Sequence, residues 1–350
     1  MTSTDVVCLP AELTSAWVSR VLERPVEVVS VSPVGTGQIG ACYRVALAGA
    51  DEPAGAPTSL LAKLPAADPG TREMLAGVYR GEVRFYADLA ATVAVSVPTC
   101  HHAAMRPGTG EFTLLLEDLA PAEQGDQLGG CTVDEARAAV VNLAGLHGPR
   151  WCDPSLVQVE GLAINGPDDA AILAELYGPA TETFLEGLGP LLAEEDADTL
   201  RGCVAVAEGW ALARADRFAL VHGDYRLDNL MFGSGGRVWA VDWQTLSLAL
   251  PARDLAYVVG TGLDVEDRRR GEAELVAAYH AALLGHGVTD YSAELCWEDY
   301  RFAMVQGPLV AVFGYAYGTR TERGDRMFAA MARRACAAIR DLDTLSLASG

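Results

Sequence analysis

The sequence predicts an α+β fold in which strands and helices occupy different parts of the chain. Short alternating runs of β-branched and aliphatic residues fill the first third, up to residue 117. Beyond residue 132 apolar residues recur at helical spacing, with short strands expected only between 219 and 244. Because strands and helices do not alternate, βαβ units are not expected. We predict two domains, a β-rich one over 1–120 and a mainly helical one over 121–350.

The composition indicates a globular protein with a large core. Half of the 350 residues are hydrophobic and 21% are charged, and no low-complexity block indicates disorder. The sequence has no run of about 18 apolar residues, and its N-terminus has no basic stretch leading into an apolar one. We therefore expect a cytoplasmic protein that is not secreted and has no membrane partner.

The net charge of −21 limits the partners of the protein. A nucleic-acid backbone must be met by Lys and Arg, so no nucleic-acid partner is expected. The charge is compatible with a cationic substrate, but acidic residues that only keep the surface soluble are the more common cause. Charge alone therefore does not identify a substrate.

The cysteines and histidines predict no metal site built from these side chains. The eight cysteines are scattered, without a C-x-x-C pair or a nearby histidine spacing that would bind zinc. His101 and His102 are adjacent, and neighbours on a strand point to opposite faces. We expect reduced, mostly buried thiols.

The strands of the first domain are predicted from alternation. Residues 26–34 and 42–47 alternate on either side of a glycine-rich segment and predict a β-hairpin. Further short strands are expected over 59–65, 96–104 and 112–117. The first domain is therefore expected to be rich in strands.

One helix in this domain carries a carboxylate on its apolar side. The helix is expected from about 71 to 89, and Glu82 falls on its buried stripe. A buried carboxylate needs a partner. Lys63, on the strand before the helix, is the candidate.

The second domain is predicted to follow a linker over 118–131. Thr132 and Glu135 form a capping box that begins a helix ending near His147. Helical stretches are then expected at about 167–186, 197–215, 265–285, 296–317 and 324–342.

Two segments of the second domain carry the most informative motif. The first reads VHGDYRLDNLMF over 221–232, and after a GSGG turn the second reads VWAVDWQ over 238–244. The turn folds two strands into a hairpin, which can bring Asn229 and Asp242 to one edge. Their side chains, and that of Asp224, offer the hard oxygen atoms that Mg²⁺ prefers.

This motif resembles the catalytic core of kinases. H-G-D, an Asn five residues after the Asp, and a downstream D-W form the signature of the aminoglycoside phosphotransferase-like superfamily. With RDLAY at 253–257, the wording is most similar to ecdysteroid-kinase-like and related bacterial phosphotransferases. The resemblance covers nearly the whole chain and implies a protein-kinase-like fold of two lobes, the first binding nucleotide and the second catalytic and substrate-binding.

The same resemblance implies the reaction. It is the transfer of the γ-phosphate of ATP, with GTP as the alternative, to a hydroxyl of a small molecule in the presence of Mg²⁺. Aminoglycoside-like, sterol-like and amino-alcohol acceptors all fit. Between Asp242 and Asp254 the chain is too short for an activation segment and contains neither D-F-G nor A-P-E, so a protein substrate is not expected.

The resemblance also implies residue roles. Asp224 is expected to accept the proton of the substrate hydroxyl, while Asn229 and Asp242 hold magnesium. Lys63 is expected to contact the phosphates and to be held by Glu82. A purely structural ion pair is the alternative for these last two.

Other residues of the motif receive supporting roles. Arg226 is expected either to hold the γ-phosphate or to form a surface salt bridge. His222 and Asp254 are expected to support the catalytic loop. Trp243 and Gln244 would form the floor of the acceptor pocket, with a buried structural tryptophan as the alternative.

The glycines at the first hairpin fit a phosphate-binding segment. Gly35, Gly37 and Gly40 match G-x-G-x-x-G. A dinucleotide fingerprint must open a helix, whereas this segment leads into a strand. We favour a loop whose backbone amides cover the phosphates over a Rossmann turn or a plain tight turn.

The nucleotide base is expected at a hinge over 114–119. Its edge would meet backbone groups near Glu117 and Leu119, where side chains matter less. The sequence therefore does not choose between ATP and GTP.

Three other functions stay open from the sequence. A kinase-like protein that binds nucleotide without turnover would normally lack a catalytic residue, and none is missing. A Rossmann-type oxidoreductase would use the early glycines, and a metal-dependent hydrolase the His and Asp residues. The acceptor and the oligomeric state are also open, although an amine would be attracted by four acidic residues, Asp290, Glu294, Glu298 and Asp299.

Overall fold

The computed structural model describes residues 6–35, 40–48 and 57–349. In these residues the chain forms two compact units. The first takes its residues from Met1–Thr92, Val97–Pro121 and Val241–Thr245, and the second from Val93–Ser96, Ala122–Ala240 and Leu246–Gly350. The boundary at Pro121 lies one residue after the division expected from the sequence. Val93–Ser96 belongs to the second unit and Val241–Thr245 to the first, whereas the expected division places each of them in the opposite domain.

The first unit contains a five-stranded antiparallel sheet. Its strands are β1 (Glu27–Val34), β2 (Gly40–Ala48), β3 (Ser59–Pro65), β4 (Cys100–Met105) and β5 (Phe112–Glu117). Their order is β1-β2-β3-β5-β4, so β3 is central. Lys63 of β3 lies opposite Cys42 on one side and Leu114 on the other. The predicted strands are confirmed, β4 beginning four residues later than expected.

A short helix that the sequence did not predict completes the core of this unit. It is α1 (Ser15–Val21). Trp17 and Val18 of this helix belong to the same buried cluster as Val45 of β2 and Leu60 of β3. The cluster covers one face of the sheet and holds the central strand in position.

The single helix predicted over 71–89 is wrong in detail. The structure has α2 (Pro69–Met74) and α3 (Ala76–Arg84), followed by a π-helical turn over Phe85–Leu89. The chain leaves the helical region at Leu75, with φ −90° and ψ 3°. α2 has no buried residue, whereas α3 buries Glu82. Because α2 contacts Ala66 and Glu111 through Arg72 and buries no apolar residue, no continuous apolar stripe runs through the two segments.

The second unit is mainly helical. Its helices are α4 (Val133–His147), α5 (Pro167–Leu188), α6 (Glu194–Leu212), α7 (Ala252–Gly262), α8 (Val265–Gly285), α9 (Ala293–Phe302), α10 (Gln306–Tyr317), α11 (Glu322–Asp341) and α12 (Thr344–Ala348). The predicted capping box is confirmed. The Thr132 N–H donates to Glu135 Oε2 at 2.8 Å, and the Glu135 N–H donates to Thr132 Oγ1 at 3.2 Å.

Two predictions for this unit were wrong. The helix expected over 296–317 is α9 and α10, separated by a 3₁₀ turn over Ala303–Val305. Pro308, which has no N–H to donate, is placed in the first turn of α10, where that donor is not needed. α7 was not predicted, although every residue in it except Arg253 is buried.

Short strands lie between the helices of the second unit. They are β6 (Glu123–Gln124), β7 (Ala219–Val221), β8 (Leu230–Gly233), β9 (Arg237–Ala240) and β10 (Ser247–Ala249). The predicted hairpin is β8 and β9, and its turn contains Gly235 and Gly236, both with φ of +73°, which favours glycine. Leu230 pairs with Ala240, so the chain returns to the level of Leu230 just before Asp242.

Two predictions from composition can be compared with the structure. All eight cysteines are free thiols, and three of them, Cys203, Cys296 and Cys336, are buried. Within the part of the chain that the structure describes, no helix is both long enough and apolar enough to cross a bilayer.

Candidate active site

The first unit buries a lysine beside two carboxylates. Lys63 is 8% exposed and Glu82 is 1% exposed. Lys63 Nζ lies 2.6 Å from Glu82 Oε2 and also donates to Asp242 Oδ1 at 3.0 Å. The central strand β3, helix α3 and the segment after β9 thus meet at one ammonium group.

The protonation states of Lys63 and Glu82 depend on one another. Burial by itself lowers the pKa of Lys63, but Glu82 and then Asp242 outweigh it, and the pKa of Lys63 is raised above its usual value. Burial raises the pKa of Glu82, and Lys63 opposes that rise. Lys63 is therefore a cation at neutral pH, and the charge of Glu82 depends on it.

The segment Val241–Thr245 joins the first unit through three consecutive side chains. Asp242 has φ of +67°, a left-handed conformation that is uncommon for residues other than glycine but tolerated by Asp. Its carboxylate is 43% exposed. Gln244 Nε2 donates to Glu82 Oε2 at 3.3 Å. The ring of Trp243 is fully buried and stacks on Phe85, with centroids 3.5 Å apart.

These contacts bear on the expected acceptor floor. Trp243 is a core residue of the first unit, which favours the structural alternative for this side chain. Gln244 contacts the buried lysine pair through Glu82. The acceptor floor stays a prediction.

The glycine segment is only partly described. Gly35 has φ of +70°, which favours glycine. A Cβ on Gly40 would lie 3.0 Å from the Leu64 carbonyl oxygen, so β2 and β3 approach closely there. Gly37 lies outside the described residues.

The expected hinge follows β5. The Glu117 carboxylate accepts hydrogen bonds from the Thr99 N–H at 3.0 Å and from Thr99 Oγ1 at 2.8 Å. Asp118 accepts from Arg44 Nε at 2.6 Å. Leu119 comes next and is half-buried. The side chains of Glu117 and Asp118 hold the strand end, and the hinge stays a prediction.

In the second unit, α7 holds the main chain of the H-G-D loop. Asp254 is fully buried. Its Oδ2 accepts from the His222 N–H at 2.6 Å and its Oδ1 from the Gly223 N–H at 3.0 Å. Gly223 has φ of +79°, so the sharp turn into Asp224 suits a glycine. The His222 ring is buried and packs edge-on against Tyr225.

The Asp224 carboxylate is surrounded by donors. It is about one quarter exposed and lies 3.1 Å from Arg226 Nε. Asn229 Nδ2 donates to Asp224 Oδ2 at 2.9 Å and to the Asp224 carbonyl oxygen at 2.8 Å. Tyr257 Oη donates to Asp224 Oδ1 at 3.0 Å. Three side chains thus orient one carboxylate.

Arg226 is engaged by carboxylates of its own loop. Besides Asp224, its Nη1 lies 3.3 Å from Asp228 Oδ2. Burial lowers the pKa of Arg226, but the carboxylate of Asp224 outweighs it and the pKa is raised. Arg323 of α11 also contacts Asp228, at 3.1 Å. Of the two roles expected for Arg226, these contacts favour the salt bridge.

The oxygen of Asn229 is the atom suited to a metal. Both hydrogen bonds to Asp224 use the amide nitrogen of Asn229, which leaves the side-chain Oδ1 as its acceptor atom. Among the described residues, no group of three or more His, Cys, Asp or Glu side chains is suited to hold a metal. An amide and a carboxylate nevertheless fit Mg²⁺, which takes few protein ligands and completes its shell with phosphates and water.

Sequence reasoning missed two residues that hold the catalytic loop. Tyr257 lies one helical turn after Asp254, so a helix prediction over 252–262 would have found it. Gln127 is fully buried in the predicted linker. Its Oε1 accepts from the Leu227 N–H at 2.8 Å, and its N–H donates to Asp228 Oδ1 at 2.9 Å. No motif or periodicity in the sequence predicts the contacts of Gln127 with this loop.

Two of the acidic residues considered for binding an amine already have partners. Glu298 lies 2.7 Å from Arg214 Nη2. Asp299 is fully buried and accepts from Arg217 Nε at 2.9 Å and from Tyr291 Oη at 3.0 Å. These carboxylates serve the fold, which weakens the argument that they attract an amine.

The sheet with its buried lysine pair and the loop that α7 supports are the parts of a kinase-like phosphotransferase. The chain belongs to the phosphotransferase enzyme family (APH), whose model matches residues 68–294, well over half of the sequence. The expected superfamily is thereby confirmed, and with it the class of enzyme, a small-molecule phosphotransferase.

Solved structures agree on the fold. Macrolide 2'-phosphotransferase MphH from Brachybacterium faecium is 16% identical, with a TM-score of 0.50 over 92% of this chain and 98% of that one. Macrolide 2'-phosphotransferase type I is 18% identical, with a TM-score of 0.51 over 95% and 98%. Choline kinase from Cryptosporidium parvum is 10% identical, with a TM-score of 0.56 over 91% of both chains. At these identities the likeness concerns the fold alone, and it confirms the predicted α+β kinase-like fold.

A search of curated proteins found no match to this sequence.

Proposed function

We propose that the protein transfers the γ-phosphate of ATP to a hydroxyl group of a small molecule. The observation that carries the proposal is the double engagement of Lys63, 2.6 Å from Glu82 and 3.0 Å from Asp242. A lysine on the third strand that is held by a helix glutamate is the group that phosphotransferases of this fold use on phosphates. Its contact with Asp242 links it to the proposed metal ligand.

In the first unit, the proposed role of Lys63 and Asp242 is to bind the phosphates of ATP and Mg²⁺. Lys63 is kept protonated by its two carboxylates, so it is ready to contact phosphate oxygens. Asp242 is partly exposed and is a proposed Mg²⁺ ligand, together with Asn229. When bound, ATP supplies the phosphoryl group and Mg²⁺ offsets the charge of its phosphates.

In the second unit Asp224 is the proposed base that accepts the proton of the acceptor hydroxyl. Its carboxylate is held by Asn229, Tyr257 and Arg226, and about a quarter of it stays accessible. The acceptor oxygen forms its bond to the γ-phosphorus as the bond from phosphorus to the leaving ADP oxygen breaks. The hydroxyl proton passes to Asp224.

Two observations argue against a Rossmann-type oxidoreductase and against a nucleotide-binding protein without turnover. Gly40 begins strand β2, which argues against a Rossmann turn because that turn opens a helix. Lys63, Asp224, Asn229 and Asp242 are all present, which argues against a nucleotide-binding protein without turnover. ATP is proposed over GTP, and the backbone near Glu117 and Leu119 is the proposed contact for the base.

The acceptor is proposed to be a small alcohol, with aminoglycoside-like, sterol-like and amino-alcohol compounds as the classes to be tested. Two of the four carboxylates considered for recognising an amine, Glu298 and Asp299, are paired with arginines. Arg214 and Arg217 engage Glu298 and Asp299, and Arg226 engages Asp228 beside the proposed base. An acceptor with few positive charges therefore fits better than a polycation.

The proposal is tested by a screen for ATP consumption with Mg²⁺ over amino sugars, sterols, amino alcohols and sugars. Each hit is followed by mass spectrometry for a product heavier by one phosphoryl group. Asp224→Asn, which keeps the size of the side chain, is the matched control and should give at least 100-fold less product, since a general base contributes about 10²- to 10⁴-fold. Absence of both Mg²⁺-dependent ATP binding and ATP consumption in the wild-type protein would rule the proposal out.

A further inference from the structure

Tyr257 is a fully buried side chain whose hydroxyl contacts the proposed base. Its Oη donates to Asp224 Oδ1 at 3.0 Å, and its ring is 0% exposed. We infer that Tyr257 is a positioning residue that holds the Asp224 carboxylate in the orientation needed to accept the proton of the acceptor. The inference rests on the proposed function for the role of Asp224, but the contact itself does not.

A single helical turn of α7 organises three consecutive loop residues. Asp254 accepts the N–H groups of His222 and Gly223, and Tyr257 donates to the side chain of Asp224. Residues three apart on a helix lie on the same face. The main chain and the reacting carboxylate of the loop are therefore held by one rigid element.

The tyrosine ring cannot move away from this position easily. It belongs to a buried cluster with Ala311 of α10 and with Met327 and Met331 of α11. Burial, and then the charge of Asp224, raise the pKa of Tyr257 well above its usual value. The hydroxyl therefore stays protonated and acts as a fixed donor over the working pH range.

The carboxylate would lose its fixed orientation without this donor. Asn229 holds the Oδ2 side, and Arg226 Nε lies 3.1 Å from the carboxylate. Tyr257 is the donor to Oδ1 that comes from a helix rather than from the loop itself. Removing the tyrosine hydroxyl would therefore leave Asp224 Oδ1 without the donor that α7 provides.

The charged groups around the contact of Tyr257 with Asp224 stay the same when only the tyrosine hydroxyl is removed. Arg226 and Asp228 lie in the loop, and Arg323 of α11 contacts Asp228. Met327 Sδ lies 3.1 Å from Arg226 Nη1 and brings no charge. A loss of activity in a variant that lacks only the tyrosine hydroxyl would therefore report the lost hydrogen bond.

The test is Tyr257→Phe, which removes one oxygen and keeps the buried ring. We expect kcat to fall about 10- to 100-fold, the effect of one hydrogen bond to a charged group, while the KM for Mg²⁺-ATP changes less than twofold. Tyr177→Phe is the matched control, because this buried hydroxyl has no hydrogen-bond partner among the described residues. It should match the wild type.

A second measurement does not require turnover. In protein labelled with ¹³C-aspartate, the Asp224 carboxyl resonance is assigned by its loss in Asp224→Asn, and its chemical shift is compared between wild type and Tyr257→Phe at one neutral pH. A changed chemical shift in Tyr257→Phe, but not in Tyr177→Phe, supports the inference even if no acceptor is found, in which case only the proposed function fails. Identical chemical shifts, or an unchanged kcat in an active enzyme, would overturn it.

Discussion

Lys63 and Asp242 are 179 residues apart in the chain, yet Lys63 Nζ donates to Asp242 Oδ1 at 3.0 Å. The contact ties the central strand of the first unit to the segment that follows the hairpin of β8 and β9. Since Lys63 also pairs with Glu82, one cation connects the strand, helix α3 and the proposed metal ligand. Four predictions concern these residues and the loop beside α7, and a fifth concerns the thiols.

Lys63→Met should destabilise the protein by about 3–5 kcal/mol, because it leaves Glu82 buried without its cation. Lys63→Met combined with Glu82→Gln should recover most of that loss, since the glutamine needs no counter-charge. Urea unfolding of the two single variants and the double variant measures the coupling. If the effects of the single changes simply add, the two side chains do not form the pair described here. Neither lysine variant should transfer phosphate.

Asp242→Ala should weaken the Mg²⁺-dependent binding of ATP, because one proposed metal ligand and the second carboxylate on Lys63 are lost. Titration calorimetry with and without Mg²⁺ measures the change. Asp198→Ala, which alters an exposed acid on α6, is the control and should bind ATP as the wild type does. Equal affinities in all three proteins would count against the metal role.

Asp224→Asn should lower phosphate transfer about 10²- to 10⁴-fold, the usual effect of removing a general base. Binding of Mg²⁺-ATP should stay close to that of the wild type, because Asp242 and Asn229 are unchanged. Rapid quench for transfer and calorimetry for binding separate the two effects. Turnover at the wild-type rate would show that Asp224 is not the base.

Asp254→Ala should destabilise the second unit and slow transfer together. The change leaves the buried N–H groups of His222 and Gly223 without their acceptor, and each such group costs about 1–3 kcal/mol. Thermal unfolding and kcat are measured on the same preparation. A variant with a normal melting temperature and normal kcat would show that the loop does not depend on this carboxylate.

The buried thiols should react slowly in the native protein. Burial raises the pKa of Cys203 and of Cys296 to about 12, so the reactive thiolate is scarce at pH 8. A chromogenic disulfide reagent should leave at least the three buried thiols unreacted in the native protein and should find all eight in urea. Rapid reaction of all eight without urea would contradict the burial described here.

Prediction from sequence worked best where the signal is local. The alternation of the first-domain strands and the capping box at Thr132 and Glu135 depend on neighbours in the chain, and both are confirmed. The helix α7 was not predicted, although nearly all of it is buried. The break at Leu75 was missed because α2 contacts Ala66 and Glu111 through Arg72 and does not continue the apolar stripe of α3. Gln127 could not be found, since a glutamine in a linker carries no pattern.

The sequence by itself determined the class of fold and the chemical groups, because strand alternation, helical spacing and the H-G-D to D-W motif are set by residue order. Only the tertiary structure decided which groups meet. Lys63 donates to Asp242, and Arg226 pairs with the carboxylates of its own loop. Trp243 stacks on Phe85 in the core, and Tyr257 donates to Asp224. The physical reason is that such contacts depend on how sheet and helices pack, and packing brings together residues that are far apart along the chain.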